Sequence, residues 1–385
     1  MGLILITGGA GFIGQNLARR LIAEGKKVRV LDNFSGQVHS TNSLPIDLQA
    51  NVDLVTADVR DRDALTKALE GVDTIVHLAA ETGTGQSMYE VEKYFSVNVQ
   101  GTALLIDILQ NELSSNKVKS IIVASSRAIY GEGAYRCMRD GLVYPAQRKK
   151  TEMASGCFDL LCPDCSGVLA LEPTPETAPF NPMSMYGLTK QIQEQAILLF
   201  AQTRGINAFA LRYQNVYGPG QSLKNPYTGL LAVFSNLARQ NKPIEVYEDG
   251  KESRDFVYIS DVVDVTSKCI NFDGDFCGPI NVGSGEATKV LDVAIKIKKH
   301  FNATGEIKQT GAFRLGDIRH NIADISLASN LLGYSPKVSF DQGLSNFLVW
   351  VETQPRESDE AYARSVQELA SKGLMGNQAL SDTKR

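Results

Sequence analysis

The stretch Leu3-Ile4-Leu5-Ile6-Thr7-Gly8-Gly9-Ala10-Gly11-Phe12-Ile13-Gly14 decides the fold. Its apolar start predicts a buried strand, and the amphipathic segment Phe12–Glu24 predicts a helix. The glycines permit a tight turn, let the backbone approach a pyrophosphate, and let the helix pack closely on the sheet. The helix N-terminus would present unpaired N–H groups to the phosphates. The residues predicted to bind a dinucleotide in this turn are Gly8, Gly11, Phe12, Ile13 and Gly14.

The second part of this motif is Asp32-Asn33, at the end of the predicted strand Lys27–Leu31. A carboxylate at this distance from the glycines can accept both hydroxyls of the adenosine ribose. Because it would repel a 2′-phosphate, Asp32 favours NAD over NADP. A turn cap shared with Asn33 is the alternative role of Asp32. Asp58, after the third predicted strand, could bond the adenine amino group or cap the next helix.

Short apolar runs alternate with helix-length amphipathic segments through the first half of the chain. This alternation is typical of a parallel sheet covered on both faces. The predicted fold class is α/β, a Rossmann doubly wound parallel sheet with a smaller α/β substrate-binding domain. The predicted strands are Leu3–Thr7, Lys27–Leu31, Val52–Thr56, Thr74–Leu78, Ser120–Ala124 and Ala208–Arg212. The predicted helices are Phe12–Glu24, Arg62–Leu69, Tyr89–Gln110 and Ser184–Thr203.

The alternation and its interruptions divide the chain into four predicted parts. Residues 132–180 carry clustered cysteines and five prolines, and we interpret them as an insertion. Residues 353–385 are predicted to form a C-terminal helix and a flexible tail whose final dozen or so residues fray. The NAD-binding domain is assigned to 1–131 with about 181–214 and 256–283, and the smaller domain to 215–255 with 284–352.

The composition is that of a globular protein, with 43% hydrophobic and 21% charged residues and a formal net charge of −4. This charge offers no general attraction for nucleic acid or anionic lipid, so any phosphate must be held locally. No window approaches the apolar length that spans a bilayer. The start of the chain lacks the basic region and cleavage site of a signal peptide. We expect no nucleic-acid partner, no membrane association and a cytoplasmic location.

Tyr186 and Lys190 lie four residues apart in a predicted helix, so their side chains share one face. A free phenol has a pKa of about 10 and is a poor base near neutral pH. The Lys190 ammonium and a positive nicotinamide ring would stabilise the phenolate and lower that pKa. Ser126 lies where a strand ends, which is where open α/β sheets place their chemistry. Ser126, Tyr186 and Lys190 are the predicted catalytic residues, with a buried tyrosine and a surface lysine as the structural alternative.

These motifs resemble those of the extended short-chain dehydrogenase/reductase family, in its NAD-dependent epimerase/dehydratase branch. They follow the family's order over residues 1 to about 350, and only the insertion and the tail lie outside them. The motifs that carry the resemblance are Thr7–Gly14, Asp32-Asn33, His77-Leu78-Ala79-Ala80, Asn98, Ser125-Ser126, Tyr130-Gly131, Tyr186 with Lys190, Asn215–Gly220 and Arg254-Asp255-Phe256.

The resemblance implies tightly bound NAD, a nucleotide-diphosphate sugar as substrate, and a homodimer. Besides the residues named above, it places Val59, Leu78, Ala79, Ala80 and Asn98 at the cofactor, with Asn98 ordering a nearby helix, and lets Lys190 hold the nicotinamide ribose. It assigns substrate contacts to Ser126, Arg127, Asn215, Arg254, Arg314 and Asp317, most of them at the diphosphate. A guanidinium fork suits a diphosphate, whereas a solvated surface charge is the alternative for Arg254 and Arg314.

The two residues after Ser126 bear on the reaction. In the family's 4,6-dehydratases these positions are Asp and Glu, the acid and base that eliminate water. Here they are Arg127 and Ala128, which disfavours dehydration. The resemblance therefore implies an NAD-dependent 4-epimerase that works through a transient 4-keto sugar.

The run Tyr130–Tyr135 and the cysteine-bearing insertion resemble the dTDP-L-rhamnose 4-epimerases of this family. This likeness alone implies conversion of dTDP-L-rhamnose to dTDP-6-deoxy-L-talose. A UDP-glucose/galactose-type 4-epimerase is an alternative assignment that stays open. So do a 4-ketoreductase, a sugar-acid decarboxylase and a non-catalytic NAD-sensing protein.

Four of the six cysteines fall in the insertion. Cys137-x-x-Asp140 and Cys162-Pro163-Asp164-Cys165 look like two turns that each present two ligands. A structural zinc on Cys137, Asp140, Cys162 and Cys165 is chemically allowed, with Cys157 as a substitute ligand. One CxxC is only half of a zinc-ribbon signal, so reduced bystander cysteines and a labile disulfide stay open. We expect the insertion to border the sugar pocket or the partner subunit.

Overall fold

The computed structural model describes residues 2–112, 117–225, 229–357 and 360–378. Its central sheet has seven strands: β1 (Leu3–Thr7), β2 (Lys27–Asp32), β3 (Val52–Thr56), β4 (Val72–His77), β5 (Ser120–Ser126), β9 (Asn207–Tyr213) and β14 (Cys277–Val282). The strand order is β14-β9-β5-β4-β1-β2-β3, and every neighbouring pair is parallel. This is the predicted Rossmann sheet, so the α/β fold class is confirmed.

The six predicted strands are present, each within two residues of its predicted start and end. They could be predicted because their apolar runs are buried between two layers of helices. The sequence analysis missed β14, which contains Gly278 and Pro279. It lies at one edge of the sheet, where a proline is tolerated because that edge needs no second hydrogen-bonded neighbour.

The helices cover both faces of the sheet. On one face Leu17, Val262 and Ala328 share a buried cluster, and on the other Leu65, Ile108 and Ile197 share a second cluster. The helices are α1 (Phe12–Ala23), α2 (Ile46–Gln49), α3 (Arg62–Leu69), α4 (Thr84–Ser87), α5 (Val91–Tyr94), α6 (Gly101–Asn111), α7 (Lys150–Ala154), α8 (Met185–Arg204), α9 (Leu230–Arg239), α10 (Ile259–Ile270), α11 (Val290–His300), α12 (Ser326–Leu332), α13 (Phe340–Glu352) and α14 (Glu360–Ser371).

The predicted helix Tyr89–Gln110 is not continuous. The structure has α5, then a π-helical segment Phe95–Gln100, then α6. The π-helical segment contains Asn98, which is fully buried and bonds the backbone of Glu81. A π-helical segment changes the direction in which its side chains point relative to the rest of the helix. The periodicity of the sequence does not reveal such a segment.

A second apolar core lies outside the sheet. It contains Phe234 of α9, Ile297 of α11 and Phe347 of α13. The short strands in this part of the chain are β10 (Asn215–Tyr217), β11 (Ile244–Val246), β12 (Ser253–Arg254), β13 (Phe256–Tyr258), β15 (Thr288–Lys289), β16 (Ile307–Gln309) and β17 (Ala312–Arg314). The separate core is compatible with a smaller substrate domain, whose boundaries stay a prediction.

The insertion contains a small antiparallel sheet that the sequence analysis did not foresee. Its strands are β6 (Tyr135–Cys137), β7 (Gly141–Val143) and β8 (Leu169–Leu171), in the order β7-β6-β8. Each strand has three residues, which is too short for an alternation pattern to stand out.

The C-terminal segment is more ordered than predicted. The expected helix is α14, and β18 (Met375–Asn377) follows it. β18 pairs antiparallel with β17, so that Met375 lies opposite Arg314. The predicted fraying is therefore wrong for residues 375–377, because β17 supplies the partner that a free tail would lack. The end of the predicted tail, residues 379–385, lies outside the described residues.

No helix within the described ranges combines the length and apolarity needed to cross a membrane.

The pair Arg212–Glu194 joins β9 to α8, and its side chains are 3% and 1% exposed. Glu194→Gln leaves the Arg212 guanidinium buried without its counter-charge, so we expect the free energy of unfolding to fall by about 3–5 kcal/mol. Urea unfolding measures this change. Asp107→Asn makes the same change in the exposed pair with Arg62 and should leave the free energy of unfolding almost unchanged, because water and salt screen an exposed pair. Equal losses in the two variants would contradict this account of the pair.

Candidate active site

A groove with a cavity volume of about 380 Å³ lies at the carboxyl ends of the sheet strands. The β1–α1 turn forms part of its wall. Gly8 has φ +67°, and a Cβ there would lie 2.7 Å from the amide nitrogen of Ala79. A Cβ on Gly14 would lie 2.5 Å from the Cα of Gly9. Only glycine therefore allows this turn and the close packing of α1.

The N-terminus of α1 is suited to an anion. Its N-cap residue is Gly11, which has no side chain to cap the helix, and the first turn holds no acidic residue. The first amides of a helix have no intrahelical acceptor and lie at the positive end of its dipole. A pyrophosphate in the groove could therefore accept hydrogen bonds from this turn.

Asp32 is buried beside the same turn. Its carboxylate accepts hydrogen bonds from the amides of Ala10 and Phe34, both at 2.9 Å. It therefore organises the loop, as the turn-cap alternative requires, and also lines the groove. Each oxygen has a second lone pair with which it could accept a ribose hydroxyl.

Asp58 and Asn33 also line the groove, and they bond each other. The hydrogen bonds and charge of Arg60 lower the pKa of Asp58 to about 2. The alternative role of Asp58 as a helix cap is wrong, because Asp61 caps α3 by accepting from the amide of Ala64 at 3.1 Å.

All the predicted cofactor residues except Asn98 line this groove, which holds Gly8, Gly11, Phe12, Ile13, Gly14, Asp32, Asn33, Asp58, Val59, Leu78, Ala79, Ala80, Tyr186 and Lys190. Asn98 lies behind its wall. Its side-chain oxygen accepts from the amide of Glu81 at 2.8 Å, and its amide donates to the Thr189 hydroxyl at 2.9 Å. The structure thus places Asn98 where it positions the groove wall and α8.

The start of α8 brings Tyr186 to Ser126. Ser184 caps the helix by accepting from the amide of Gly187 at 3.1 Å. A Cβ on Gly187 would lie only 2.5 Å from the carbonyl oxygen of Ala128, so the helix rests directly on the turn after β5. Ser126 ends β5, and its hydroxyl accepts from the amide of Ala128 at 3.1 Å.

Burial shifts the pKa of Tyr186 and that of Lys190, both on α8. It raises the pKa of the Tyr186 phenol, while the hydrogen bond with Ser126 and the charge of Arg127 act in the opposite direction. It lowers the pKa of Lys190 to about 7. The Lys190 ammonium donates to the carbonyl of Ala124 at 2.9 Å. Arg127 is the charged group that opposes the rise in the Tyr186 pKa, and a lowering of that pKa by Lys190 together with a nicotinamide ring stays a prediction.

Ser126 and Tyr186 also line a second cavity, of about 250 Å³. The phenol therefore stands in a wall shared by the groove and a space next to it. Arg127 and Asn215 line this second cavity, as predicted for substrate contacts. No Asp, Glu, His, Lys or Cys side chain among the described residues lines it, so its titratable groups are tyrosines and Arg127.

A third cavity, of about 180 Å³, continues from the second and is lined by Arg127, Arg254, Arg314 and Asp317. Arg314 donates to Asp317 at 2.8 Å. Burial raises the pKa of Asp317, but the charges of Arg314, Arg254 and Arg127 outweigh it, and the net shift is downward. The lining also contains the carboxyl groups of Glu245, Glu248 and Glu252. The three guanidinium groups lie together around Asp317, and guanidinium forks of this kind suit a diphosphate. Arg254 and Arg314 are half-buried rather than freely solvated.

The sequence analysis missed several lining residues. Gln221 and Tyr213 line both the groove and the second cavity. Tyr247 and Tyr362 line the third cavity, and their hydroxyls lie 3.3 Å apart. Tyr362 comes from α14, so the C-terminal helix contributes to the site. These residues belong to no local motif, and only tertiary structure brings them together.

The insertion reaches the site indirectly. No residue of 132–180 lines the three cavities, so the expected border with the sugar pocket is not found there. Instead Arg148 is buried and donates to Glu132, to Glu248 and to the backbone oxygen of Asp317, the last at 3.0 Å. This network fixes the segment that carries Asp317.

Comparisons with known proteins agree with this geometry. The model of the NAD-dependent epimerase/dehydratase family matches residues 4–148 and 162–283. A dTDP-L-rhamnose 4-epimerase of Burkholderia thailandensis is 40% identical over 351 residues, which cover 90% of this chain and 94% of that protein. The structure of UDP-glucose 4-epimerase from Thermotoga maritima with UDP-glucose has a TM-score of 0.72 and 27% identity, covering 91% and 98% of the two chains. UDP-glucuronic acid 4-epimerase from Bacillus cereus, in complex with UDP-glucuronic acid and NAD, has a TM-score of 0.73 and 25% identity, covering 91% and 99%.

The lowered pKa of Lys190 predicts a pH dependence of stability in the cofactor-free protein. The ordinary value is 10.5 and the folded value about 7, so between these pH values the unfolded chain binds the extra proton. The free energy of unfolding should therefore rise with pH from 7 to 9, by up to about 1.4 kcal/mol per pH unit. Urea unfolding of wild type and Lys190→Met measures the effect, since the variant lacks this proton. Parallel pH profiles would show that Lys190 keeps its ordinary pKa.

Proposed function

The chain belongs to the NAD-dependent epimerase/dehydratase family of enzymes, and we propose that it is an NAD-dependent nucleotide-sugar 4-epimerase acting through a transient 4-keto sugar. One observation carries the proposal: Ser126 and Tyr186 line both the groove that contains the glycine turn and Asp32 and a neighbouring cavity that has no carboxylate lining among the described residues. A nicotinamide ring in the groove supplies a hydride acceptor and donor beside the sugar.

NAD is supported by the uncapped start of α1 and by the Asp32 carboxylate at the ribose end of the groove. The Bacillus cereus neighbour was solved with NAD. The groove residues named above would hold the cofactor, with Lys190 beside the nicotinamide ribose.

The proposed proton transfers use Tyr186 and Ser126. The Tyr186 oxygen takes the proton of the sugar's 4-hydroxyl, and the Ser126 hydroxyl bonds the same oxygen and shares the proton. Once C4 is a ketone, the sugar turns about its diphosphate, and Tyr186 returns the proton to the new hydroxyl. Arg254 and Arg314, with Asn215, would hold the diphosphate as the pivot for this turn.

Dehydration lacks the groups it needs. Elimination of water from the sugar requires an acid and a base near C5 and C6. Arg127 and Ala128 cannot supply them, and the second cavity has no carboxylate lining among the described residues. Epimerisation requires only the base, the hydride acceptor and room to turn.

The preferred substrate is dTDP-L-rhamnose, with dTDP-6-deoxy-L-talose as product. The Burkholderia relative supports this choice, and so do the apolar side chains Val216, Leu230 and Leu231, which could accept a 6-deoxy methyl group. UDP-glucose is the second candidate, because the Thermotoga neighbour was solved with that sugar. Homodimerisation and a cytoplasmic location stay predictions.

Tyr186→Phe should retain NAD but lower kcat by at least about 100-fold, because it removes only the proton acceptor. Bound NAD can be measured in the purified variant, and turnover by NMR of the sugar. Tyr144→Phe, in the insertion and away from the three cavities, is the matched control and should retain activity. Undiminished epimerisation by Tyr186→Phe would remove the proposed base.

NMR of the purified protein with dTDP-L-rhamnose, UDP-glucose and UDP-galactose, without added cofactor, tests both substrate and reaction. We expect dTDP-L-rhamnose to convert to the talose epimer, since a resident cofactor is regenerated in each cycle. Conversion of only the UDP sugars would select the second candidate. In a separate assay with added NADH, stoichiometric consumption of the NADH would instead identify a reductase.

A further inference from the structure

A cluster of three thiols and one carboxylate lies in the insertion, away from the three cavities. It consists of Cys137, Asp140, Cys162 and Cys165, whose ligand atoms all lie within 4.8 Å of one another. The Cys137 and Cys165 sulfurs are 3.4 Å apart. Asp140 Oδ2 lies 3.3 Å from the sulfur of Cys137 and 3.1 Å from that of Cys162.

These spacings match one tetrahedral ion. With Zn–S bonds of about 2.3 Å and a Zn–O bond of about 2.1 Å, tetrahedral geometry places two sulfurs about 3.8 Å apart and a sulfur and an oxygen about 3.6 Å apart. The three distances given above lie within about 0.5 Å of these values, and the other ligand pairs lie within 4.8 Å. A small outward movement of the side chains would admit the ion.

Two tight turns aim the four groups at one point. Cys137 ends β6, and Asp140 lies in the turn before β7. In the second turn the amide of Cys162 donates to the carbonyl of Gly167 at 2.8 Å, and the amide of Ser166 donates to the carbonyl of Cys162 at 2.9 Å. Backbone hydrogen bonds therefore fix the turn that positions Cys162 and Cys165.

The cluster is poorly satisfied without a cation. Thiols are weak hydrogen-bond donors, and Cys137 and Cys162 are 3% and 2% exposed. The small apolar core around them includes Tyr135, Val143 and Leu160. Small cores of this kind commonly depend on a metal or a disulfide for stability.

A second compact group of possible metal ligands already has cationic partners. Glu248, Asp249 and Glu252 lie close together, but Arg148 and Arg319 form ion pairs with Glu248, and Arg319 pairs with Asp249. Buried arginines already supply that group with positive charge, whereas the arginine beside the cysteine cluster is the exposed Arg139, 3.8 Å from Asp140 Oδ1.

We propose that Cys137, Asp140, Cys162 and Cys165 bind one structural zinc ion. A closed set of four protein ligands leaves no position for water or substrate, as in structural sites. The ion would join β6 to the turn at 162–165. It would thereby stabilise the insertion, whose Glu132 and Arg148 hold the segment that carries Asp317. Cys157 is exposed and lies outside the cluster, so the structure does not use it as a ligand.

Metal analysis of the untagged full chain by plasma mass spectrometry tests the proposal. We expect about one zinc per chain in wild type and below about 0.1 in Cys162→Ser. Cys157→Ser, in the same insertion, is the matched control and should keep its zinc. A zinc-to-chain ratio near zero in wild type overturns the proposal, whether intact-protein mass then shows free thiols or a disulfide.

Cobalt provides a readout that does not depend on folding of a variant. Wild type stripped of zinc and loaded with Co²⁺ alone should show the visible absorption of tetrahedral cobalt with thiolate ligands, and the zinc-free protein should melt at a lower temperature. Octahedral cobalt spectra, or a melting temperature unchanged by zinc removal, would contradict the structural site. Neither measurement involves substrate turnover, so this result is independent of the proposed epimerase function.

Discussion

The contact of Gly187 with the carbonyl of Ala128 brings the parts of the reaction centre together. A Cβ at position 187 would lie 2.5 Å from that oxygen, so a larger residue would push α8 away from the end of β5. α8 carries Tyr186, and β5 ends in Ser126. The same helix also sets Lys190 against the carbonyl of Ala124. The approach of one helix to one strand end thus fixes the base, the hydroxyl that assists it and the amine.

Burial gives this constellation its electrostatic character. It raises the pKa of Tyr186 and lowers that of Lys190, so both shifts favour the uncharged forms. Ser126 and Arg127 oppose the shift at the phenol. A positively charged ring in the groove would add to their effect, which couples formation of the base to an occupied groove. Arg127 faces the second and third cavities alike. It therefore links the phenol to the cluster of arginines around Asp317.

The sequence predicted the parts of the fold and site that depend on local patterns. The glycine turn, Asp32 and the Tyr186–Lys190 spacing are each contained within a few residues, so their chemistry could be inferred before the structure. The π-helical segment around Asn98, the edge strand β14 and the pairing of β18 with β17 depend on distant partners. Tyr247 and Tyr362 are separated by more than a hundred residues, and only the docking of α14 brings their hydroxyls to 3.3 Å.

The proposed chemistry moves the hydrogen on C4 of the sugar between carbon and cofactor and never through water. The second cavity is consistent with this route, because within the described residues it has no carboxylate, histidine or lysine lining that could exchange a carbon-bound proton. Conversion of dTDP-L-rhamnose carrying deuterium at C4, followed by mass spectrometry of the product, measures the route directly. Full retention of deuterium at C4 is the predicted result. Replacement of that deuterium by hydrogen from water would contradict hydride transfer at this site.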